Sequence, residues 1–378
     1  MKKIYWRPPS VSRRALALIA AVALIGLSLV ETFPQERKQS FYKEKLAAAQ
    51  LARTAMGRIK EEKQRRGITI DRESDPAGTG LIGHAVTPVT SNTGYIESKQ
   101  TSTNPNFAAV VVHLLKRAGV ENGDVVAVGL SGSFPGLNAS TYAALEVLKA
   151  KAIVIASAAS SEWGANDVEL MWLDMEQVLF DAKLISFRAT AASRGGIDDR
   201  GFGLSPEGRH LIDALIERRG IHKLTPKNLT DSVDQRMQIY RDQAGDRPIK
   251  AYINIGGGAA STGTHVGKKL FKPGLNTDVP YGAIDSVMLR FAQDGVPVIH
   301  LSNVKVIAER YGLPIAPQEP PQVGVSRVFV RAEYDERLVV GVILAVGLAM
   351  FAFLRLDVGL RILGRRRESS HAHPQRMV

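Results

Sequence analysis

The middle of the chain alternates short apolar runs with longer amphipathic stretches. Residues 124–129 and 250–255 carry the runs DVVAVG and KAYINI. Short runs of this kind are typical of buried strands, whereas the stretches between them show the apolar spacing of helices. Strands that alternate with helices predict an α/β fold with a mainly parallel, doubly wound sheet. We place this domain at residues 67–335, with further strands at 152–156, 184–187 and 297–301 and helices at 107–118, 139–149, 173–182, 206–219, 230–244, 283–294 and 304–311.

Two longer apolar runs lie near the ends of the chain. Residues 15–30 and 338–354 contain no charged side chain, which predicts transmembrane helices at 15–33 and 338–354. For the first run the alternative is a cleaved signal peptide, although no A-x-A pattern closes it. Basic tails at 1–14 and 355–378 flank the outer ends of both runs. They predict a cell-membrane protein with both termini in the cytoplasm and the domain outside it.

Residues 36–66 have the pattern of one long amphipathic helix beside the first apolar run. Basic and acidic residues surround a stripe of apolar positions at helical spacing, which are Ala48, Leu51, Ala52, Ala55 and Ile59. The basic face of such a helix suits contact with an anionic lipid bilayer or an acidic polymer. A solvated stalk that carries the domain is the other interpretation, and the pattern does not separate them.

Charge and composition exclude several classes of protein. The net charge is +12, but the excess of Lys and Arg lies in residues 1–14, 36–66 and 355–378, so the domain itself is nearly neutral. A nucleic-acid-binding domain needs a basic folded face, and we therefore expect no nucleic-acid partner. The chain has no cysteine, which excludes disulfides and thiolate metal sites. Its eight histidines show no ligand spacing, so we predict no metal site.

A loop of small residues follows the strand at 124–129. The segment GLSGSFPGLN leads from this strand into a helix, with Asn138 as the expected N-cap. In an α/β sheet such a loop presents backbone N–H groups to an anionic ligand. We therefore take Ser131, Gly132 and Ser133 as candidate ligand-binding residues. The alternative is a tight turn that needs small residues only for packing.

A second loop of small residues follows the strand at 250–255. Its segment GGGAASTG supplies the candidate ligand-binding residues Gly257, Gly258, Ser261 and Thr262. Gly258 and Gly263 have the spacing of a phosphate-binding loop, but Thr264-His265 stands where that motif requires lysine and a hydroxyl residue. No dinucleotide-binding glycine motif opens a helix either, so we expect no cofactor. If the two strands are neighbours, their loops share one crevice, with Lys268 or Lys269 as a nearby cation.

A catalytic interpretation rests on the first loop. Gly129, Ser131 and Ser133 resemble a nucleophile elbow whose last glycine is replaced by serine. A triad with Ser131 takes its acid and then its histidine from later in the chain, and Asp278 or Asp285 with His300 fit that order. The pair Asp198-Asp199, flanked by glycines, is typical of a solvated loop rather than a cation site.

The two apolar runs and the segments GLSGSFPGLN and NIGGGAAS together resemble the poly-gamma-glutamate system protein family over nearly the full chain. The resemblance implies a membrane accessory role in poly-gamma-glutamate synthesis or export. It also implies that the polymer, or its synthase and export membrane proteins, are the partners. It assigns no catalytic residue. Two alternatives remain: a serine-dependent hydrolase or transferase acting on gamma-glutamyl chains, and a structural scaffold for the synthase complex.

Overall fold

The computed structural model describes residues 13–355 except for positions 257, 264 and 283. The chain divides into a large unit, Lys38–Val330, and a small unit formed by the segments before and after it. The helices are α1 (Arg13–Thr32), α2 (Tyr42–Arg65), α3 (Ile96–Ser102), α4 (Phe107–Arg117), α5 (Pro135–Val147), α6 (Trp172–Asp181), α7 (Pro206–Arg218), α8 (Leu229–Ala244), α9 (Ala259–Thr262), α10 (His265–Leu270), α11 (Val287–Gln293), α12 (Val304–Tyr311) and α13 (Glu336–Arg355). The strands are β1 (Gln35–Lys38), β2 (Thr90–Asn92), β3 (Val125–Ser131), β4 (Lys151–Ser157), β5 (Ser160–Ser161), β6 (Ala189–Ser193), β7 (His222–Lys223), β8 (Ile249–Ile255), β9 (Gly274–Asn276), β10 (Val298–Leu301) and β11 (Val330–Glu333).

The large unit is built on one central sheet. Within the described residues this sheet has seven strands in the order β7-β6-β4-β3-β8-β10-β9. Its neighbouring strands are parallel, except that β9 runs antiparallel to β10 at one edge. The α/β class and the mainly parallel sheet expected from the sequence are both present, and the antiparallel edge strand β9 makes the sheet mixed. The three residues of β9, GLN, are too few to show a strand pattern in the sequence.

Helices cover both faces of this sheet because its strands are apolar on both sides. In β3, Val126 and Val128 pack in the core that contains α2, α4, α5 and α6. Val125 and Ala127 of the same strand pack in the core that contains α8 and α11. Successive side chains of a strand point to opposite faces, so an uninterrupted apolar run is what a strand buried on both faces requires.

Several boundaries differ from those expected. The predicted strand at 184–187 is replaced by β6, which begins at Ala189. The predicted helix at 36–66 begins at Tyr42, because residues 35–38 form β1. The stripe of α2 lies in the core, with Ala48, Ala52 and Ile59 fully buried. Helix α2 is therefore part of the large unit and uses its apolar face inside the protein.

The small unit pairs β1 with β11 and packs α1 against α13. A Cβ at Gly26 would lie 2.3 Å from Cγ1 of Val342, so only glycine allows this approach of the two helices. The hydroxyl of Tyr334 donates to Oε1 of Glu31 over 2.9 Å. Much of the apolar surface of both helices is exposed, including Leu24 and Leu348.

The predicted membrane spans are not supported. In the part of the chain that the structure describes, no helix has both the length and the apolarity needed to cross a membrane. The uncharged runs at 15–30 and 338–354 are shorter than the roughly 20 apolar residues that a bilayer core requires. Charged side chains such as Glu31 and Glu336 lie within the helices around these runs. The expectations of spans at 15–33 and 338–354 and of a two-span cell-membrane protein are therefore wrong, and the expectation of a domain outside the membrane loses its basis.

Two glycines, one inside α2 and one just after it, have similar space around them but different backbone conformations. At both Gly57 and Gly67 an added Cβ would meet no atom within 4 Å. Gly57 lies inside the helix, whereas Gly67 follows its end with φ of 73°. The N–H groups of Gly67 and Ile68 donate to the carbonyls of Gln64 and Lys63 at 2.9 and 3.1 Å. This closing turn of α2 needs the left-handed conformation that glycine adopts without cost.

We predict opposite effects of alanine at these two positions. Gly57→Ala should raise the free energy of unfolding by about 0.5–1 kcal/mol, because it restricts the unfolded chain and suits a helix. Gly67→Ala should lower it by about 1 kcal/mol, because alanine is strained in the left-handed region. Urea denaturation of both variants measures the difference, and shifts of the same sign would contradict this account of the end of α2.

A buried carboxyl group ties α6 to its neighbours. Glu176 is 1% exposed, and its Oε1 accepts the Tyr142 hydroxyl at 2.5 Å and the Ala189 N–H at 3.0 Å. Burial raises the pKa of Glu176 from 4.5 to about 7, although both hydrogen bonds and the nearby Arg188 lower it. The folded protein therefore holds this proton more tightly than the unfolded chain does.

This raised pKa predicts a stability that falls as the pH rises. The contribution of Glu176 is complete below pH 4.5, where both states are protonated, and is lost as the pH rises through about 7. The loss amounts to roughly 3–4 kcal/mol, since each pKa unit corresponds to about 1.4 kcal/mol. Glu176→Gln stays neutral and should remove this decline, so that the variant gains stability relative to the wild type between pH 5 and pH 8. Parallel unfolding free energies of the two proteins across this range would refute the assignment.

Candidate functional site

Three serines stand in a row where the central strands end. Ser131, Ser157 and Ser193 are the last residues of β3, β4 and β6. Ser131 pairs with Ser157 in the sheet register, and Ser157 pairs with Ser193. The parallel strands therefore place three hydroxyl side chains side by side at their carboxyl ends. This edge is where open α/β sheets bind ligands.

The strand order reverses between β3 and β8. After β3 the chain adds β4, β6 and β7 on one side, and it then returns to form β8 on the other side. Leu130 pairs with Ile255, so Ser131 and Gly256 continue side by side. The predicted neighbours at 124–129 and 250–255 are thus adjacent and parallel. In open α/β sheets a ligand usually lies beside a reversal of this kind, at the carboxyl ends of the strands.

The two loops touch each other above the strand ends. Gly256 has φ of 96°, and a Cβ there would lie 2.7 Å from Ser131 Oγ. A Cβ at Gly258 would lie 3.1 Å from Ser157 Oγ. Ser261 Oγ accepts the hydroxyl of Tyr252 at 3.1 Å. Glycine is thus required at position 256, where the second loop crosses the first.

The structure places the predicted ligand-binding residues at this edge with unequal access. Ser133 and Gly258 are partly exposed, whereas Ser131 is buried. The others, Gly132, Ser261 and Thr262, are also buried, and Gly257 lies outside the described residues. The N–H of Gly132 donates to the carbonyls of Ser157 and Ala159, each at 3.2 Å. This backbone donor is therefore used within the protein.

Helix α5 begins earlier than expected and has a covered end. It starts at Pro135, so Asn138 lies inside the helix rather than at its N-cap. The Asn138 amide donates to the carbonyl of Ser131 at 2.9 Å and holds the loop from behind. A Cβ at Gly136 would lie 2.4 Å from the carbonyl oxygen of Ser102. The first turn of α5 is therefore packed against the end of α3.

A buried ion pair lies beneath the serine row. Arg236 of α8 and Asp199 are each 1% exposed, and Nη2 of Arg236 lies 2.8 Å from Oδ2 of Asp199. The same Nη2 donates to the hydroxyls of Ser157 and Ser193 at 3.1 and 2.8 Å. Ser193 in turn donates to Asp199 Oδ1 at 2.6 Å, and Ser232 donates to Oδ2 at 2.6 Å. The network fixes the orientation of two of the three serine side chains.

The loop that carries Asp199 has an unusual backbone. Asp198 and Asp199 have φ of 56° and 61°, in the left-handed region that residues other than glycine rarely adopt. Strain of this kind persists where surrounding contacts over-determine the conformation, and it concentrates at functional sites. The expectation of a solvated loop is wrong for Asp199, because its carboxylate is fully enclosed by the network.

The structure gives other partners to the candidate catalytic residues. Nδ1 of His300 lies 2.9 Å from the Asn254 amide nitrogen, so Nδ1 accepts a hydrogen bond. Asp285 binds Arg290 with 2.8 Å between Oδ2 and Nη2, and Asp278 is exposed. Ser131 Oγ accepts the N–H of Ser133 at 3.4 Å. A triad through Ser131 gains no support from these contacts.

Comparison with known proteins assigns no family to this chain: no family model, no curated protein and no solved structure matches it. Among the side chains that the structure describes, no group of three histidine or acidic residues is positioned to hold a metal ion. The candidate site therefore rests on its own geometry.

Sequence reasoning missed Ser157, Ser193 and Arg236, and it assigned Asp199 to a solvated loop. Ser157 and Ser193 carry a weak signal, since each ends an apolar strand (KAIVIAS and ATAAS) in the same way as Ser131 ends β3. Arg236 carries none, because a single arginine in a polar helix is normally exposed. Only the packing of α8 against the sheet buries it.

We predict that breaking the buried ion pair is costly. Arg236→Met leaves the carboxylate of Asp199 buried without its cation and should lower the free energy of unfolding by about 3–5 kcal/mol. The double variant Arg236→Met with Asp199→Asn should recover a large part of this loss. Arg241→Met is the control on the same helix, because Arg241 and Asp294 are 61% and 54% exposed and 3.7 Å apart. It should cost less than about 1 kcal/mol. Equal losses at the two positions, measured by urea denaturation, would contradict the assigned role of Arg236.

Proposed function

We propose that the large unit binds a gamma-linked polyglutamate chain at the crevice between the carboxyl ends of β3 and β8. In this proposal the protein is an accessory component in the synthesis or export of that polymer, beside its synthase and export proteins. The observation that carries it is the contact between the loops that follow β3 and β8, with Gly256 against Ser131 and Gly258 against Ser157. The resemblance to the poly-gamma-glutamate system family rests on these two segments together with the two terminal apolar runs.

The chemistry of the crevice suits a carboxylate. Serine and threonine hydroxyls donate hydrogen bonds to carboxylate oxygens, and bonds to a charged group contribute about 1.5–3 kcal/mol each. Ser133 and Gly258 are partly exposed and lie where a ligand first meets the loops. Lys269, an exposed residue of α10, adds a positive charge on the segment that follows the second loop.

The ion pair of Arg236 and Asp199 supports binding because it orients the side chains of Ser157 and Ser193. Arg236 and Asp199 have opposite charges, so the pair adds little net charge to the site. Arg236 instead donates to the oxygens of Ser157 and Ser193. A polymer adds avidity because each residue of polyglutamate carries a carboxylate. When one carboxylate leaves the site, the carboxylate of the next residue can take its place.

Gly258 provides the sharpest test of this proposal. Its φ of −53° suits alanine, so Gly258→Ala should fold normally, but the added Cβ fills the space 3.1 Å from Ser157 Oγ. We expect this variant to bind gamma-linked oligoglutamate at least about tenfold more weakly than the wild type. Titration calorimetry with the full-length protein measures the affinity. Gly57→Ala is the matched control, because its Cβ meets open space, and it should bind as the wild type does.

Two further arms of this experiment separate the possible causes. Raising the salt concentration from about 50 to 200 mM should weaken binding, because exposed charges are screened. Alpha-linked oligoglutamate of the same length should bind more weakly than the gamma-linked chain, since its carboxylates are spaced differently. Full binding by Gly258→Ala, or equal affinity for the two polymers, would refute the proposal.

A further inference from the structure

A second group of polar side chains lies behind the loop that follows β3. Lys99 of α3 is 2% exposed, and its Nζ lies 2.6 Å from Oγ of Ser161. Lys99 also donates to the carbonyl of Ser133 and lies 4.2 Å from the centre of the Phe134 ring. Ser161 belongs to β5, which pairs with β2 rather than with the central sheet. This pair is therefore separate from the serine row.

Ser161 is held rigidly and remains partly exposed. Its N–H donates to Ser133 Oγ at 3.1 Å. The next residues are also fixed, because Glu162 N–H donates to the Asn92 carbonyl at 3.0 Å and Trp163 has φ of 62°. Unlike Ser131, Ser157 and Ser193, which are buried, Ser161 keeps some exposed surface. This exposed surface is what access of a small reagent to Ser161 would require.

We propose that Ser161 is a nucleophile activated by Lys99, which would give the protein hydrolase activity toward amide or ester carbonyl groups. A serine hydroxyl is a weak nucleophile until a neighbouring base takes its proton, and lysine fills that role in serine–lysine hydrolases. The two requirements are contact between the groups and exclusion of water from the amine. The 2.6 Å distance and the burial of Lys99 meet both. The inference goes beyond polymer binding and does not depend on it.

The reaction balances without any cofactor. Neutral Lys99 takes the Ser161 proton while Oγ forms a bond to the carbonyl carbon, and the oxyanion that develops accepts a hydrogen bond from the Ser133 hydroxyl, which keeps its proton. The carbon–nitrogen bond then breaks as Lys99 delivers its proton to the leaving amine. Water attacks the acyl-serine and gives a proton to Lys99, which returns it to Ser161 as the ester bond breaks. The net change is amide plus water to carboxylic acid plus amine.

Ser133 links this pair to the binding crevice. Its oxygen accepts the Ser161 N–H and its carbonyl accepts Lys99, while its side chain is partly exposed at the loop. A carbonyl group bound at Ser133 would therefore lie close to the hydroxyl of Ser161. The gamma-glutamyl amide of a bound chain is a substrate of the required class.

A fluorophosphonate probe tests the nucleophile without an identified substrate. Attack by Ser161 forms an oxygen–phosphorus bond and releases fluoride, and the proton goes to Lys99. Peptide mass spectrometry of the full-length protein should show the adduct on Ser161, and Ser161→Ala should abolish it. Lys99→Met should lower the labelling rate by at least about 100-fold, the usual contribution of a general base. Ser98→Ala, one residue from Lys99 on α3, is the control and should leave the rate unchanged.

The pH dependence of the labelling rate shows whether Lys99 activates Ser161 or only contacts it. The wild-type labelling rate should rise with pH to a plateau, because only neutral Lys99 accepts the proton. This measurement holds even if Lys99→Met does not fold. Absence of an adduct on Ser161, a rate independent of pH, or an unchanged rate in folded Lys99→Met would each overturn the proposal. None of these outcomes bears on calorimetric binding of polyglutamate, so the two proposals fail separately.

Discussion

The structure depends on the position of β3 at the centre of the sheet. All seven residues of this strand are buried, and it is hydrogen-bonded to β4 on one side and to β8 on the other. Helices cover both of its faces, so the side chains of residues 125–130 are apolar or absent. Gly129 shows how tight this arrangement is, because a Cβ there would lie 2.1 Å from the Tyr252 hydroxyl. The register fixed by β3 aligns Ser131 with Ser157 and brings Gly256 beside it.

The ion pair of Arg236 and Asp199 lies beneath the carboxyl ends of the strands. It is costly to bury, and both of its members are paired. Charges leave water only at a large free-energy cost, which mutual attraction and further hydrogen bonds must offset. Arg236 and Asp199 meet this condition through three serine hydroxyls that complete the network. Well-packed apolar residues would stabilise such a site as well or better. In this structure the ion pair holds the hydroxyls of Ser157 and Ser193 in place at the carboxyl ends of β4 and β6.

The loop after β3 has a different environment on each side. On the crevice side Ser131 meets the second loop at Gly256, and on the other side Ser133 meets Lys99 and Ser161. One segment of the chain thus joins a surface suited to carboxylates with a lysine–serine pair suited to carbonyl chemistry. The proposed binding function and the proposed nucleophile share Ser133, which is partly exposed and also contacts Lys99 and Ser161.

The sequence by itself determined the α/β class, the main strands and the two small-residue loops at their ends, because apolar runs and glycine or proline positions act locally. The sequence also led us to predict membrane spans at both ends of the chain. The apolar runs there are too short for a span. Sequence reasoning also missed β9, whose three residues show no pattern, and placed β6 several residues too early. Only the tertiary structure decided which residues meet: Asp199 and Arg236 are far apart in sequence, as are Lys99 and Ser161. Such contacts depend on how distant helices and loops pack on the sheet, and no local pattern records that packing.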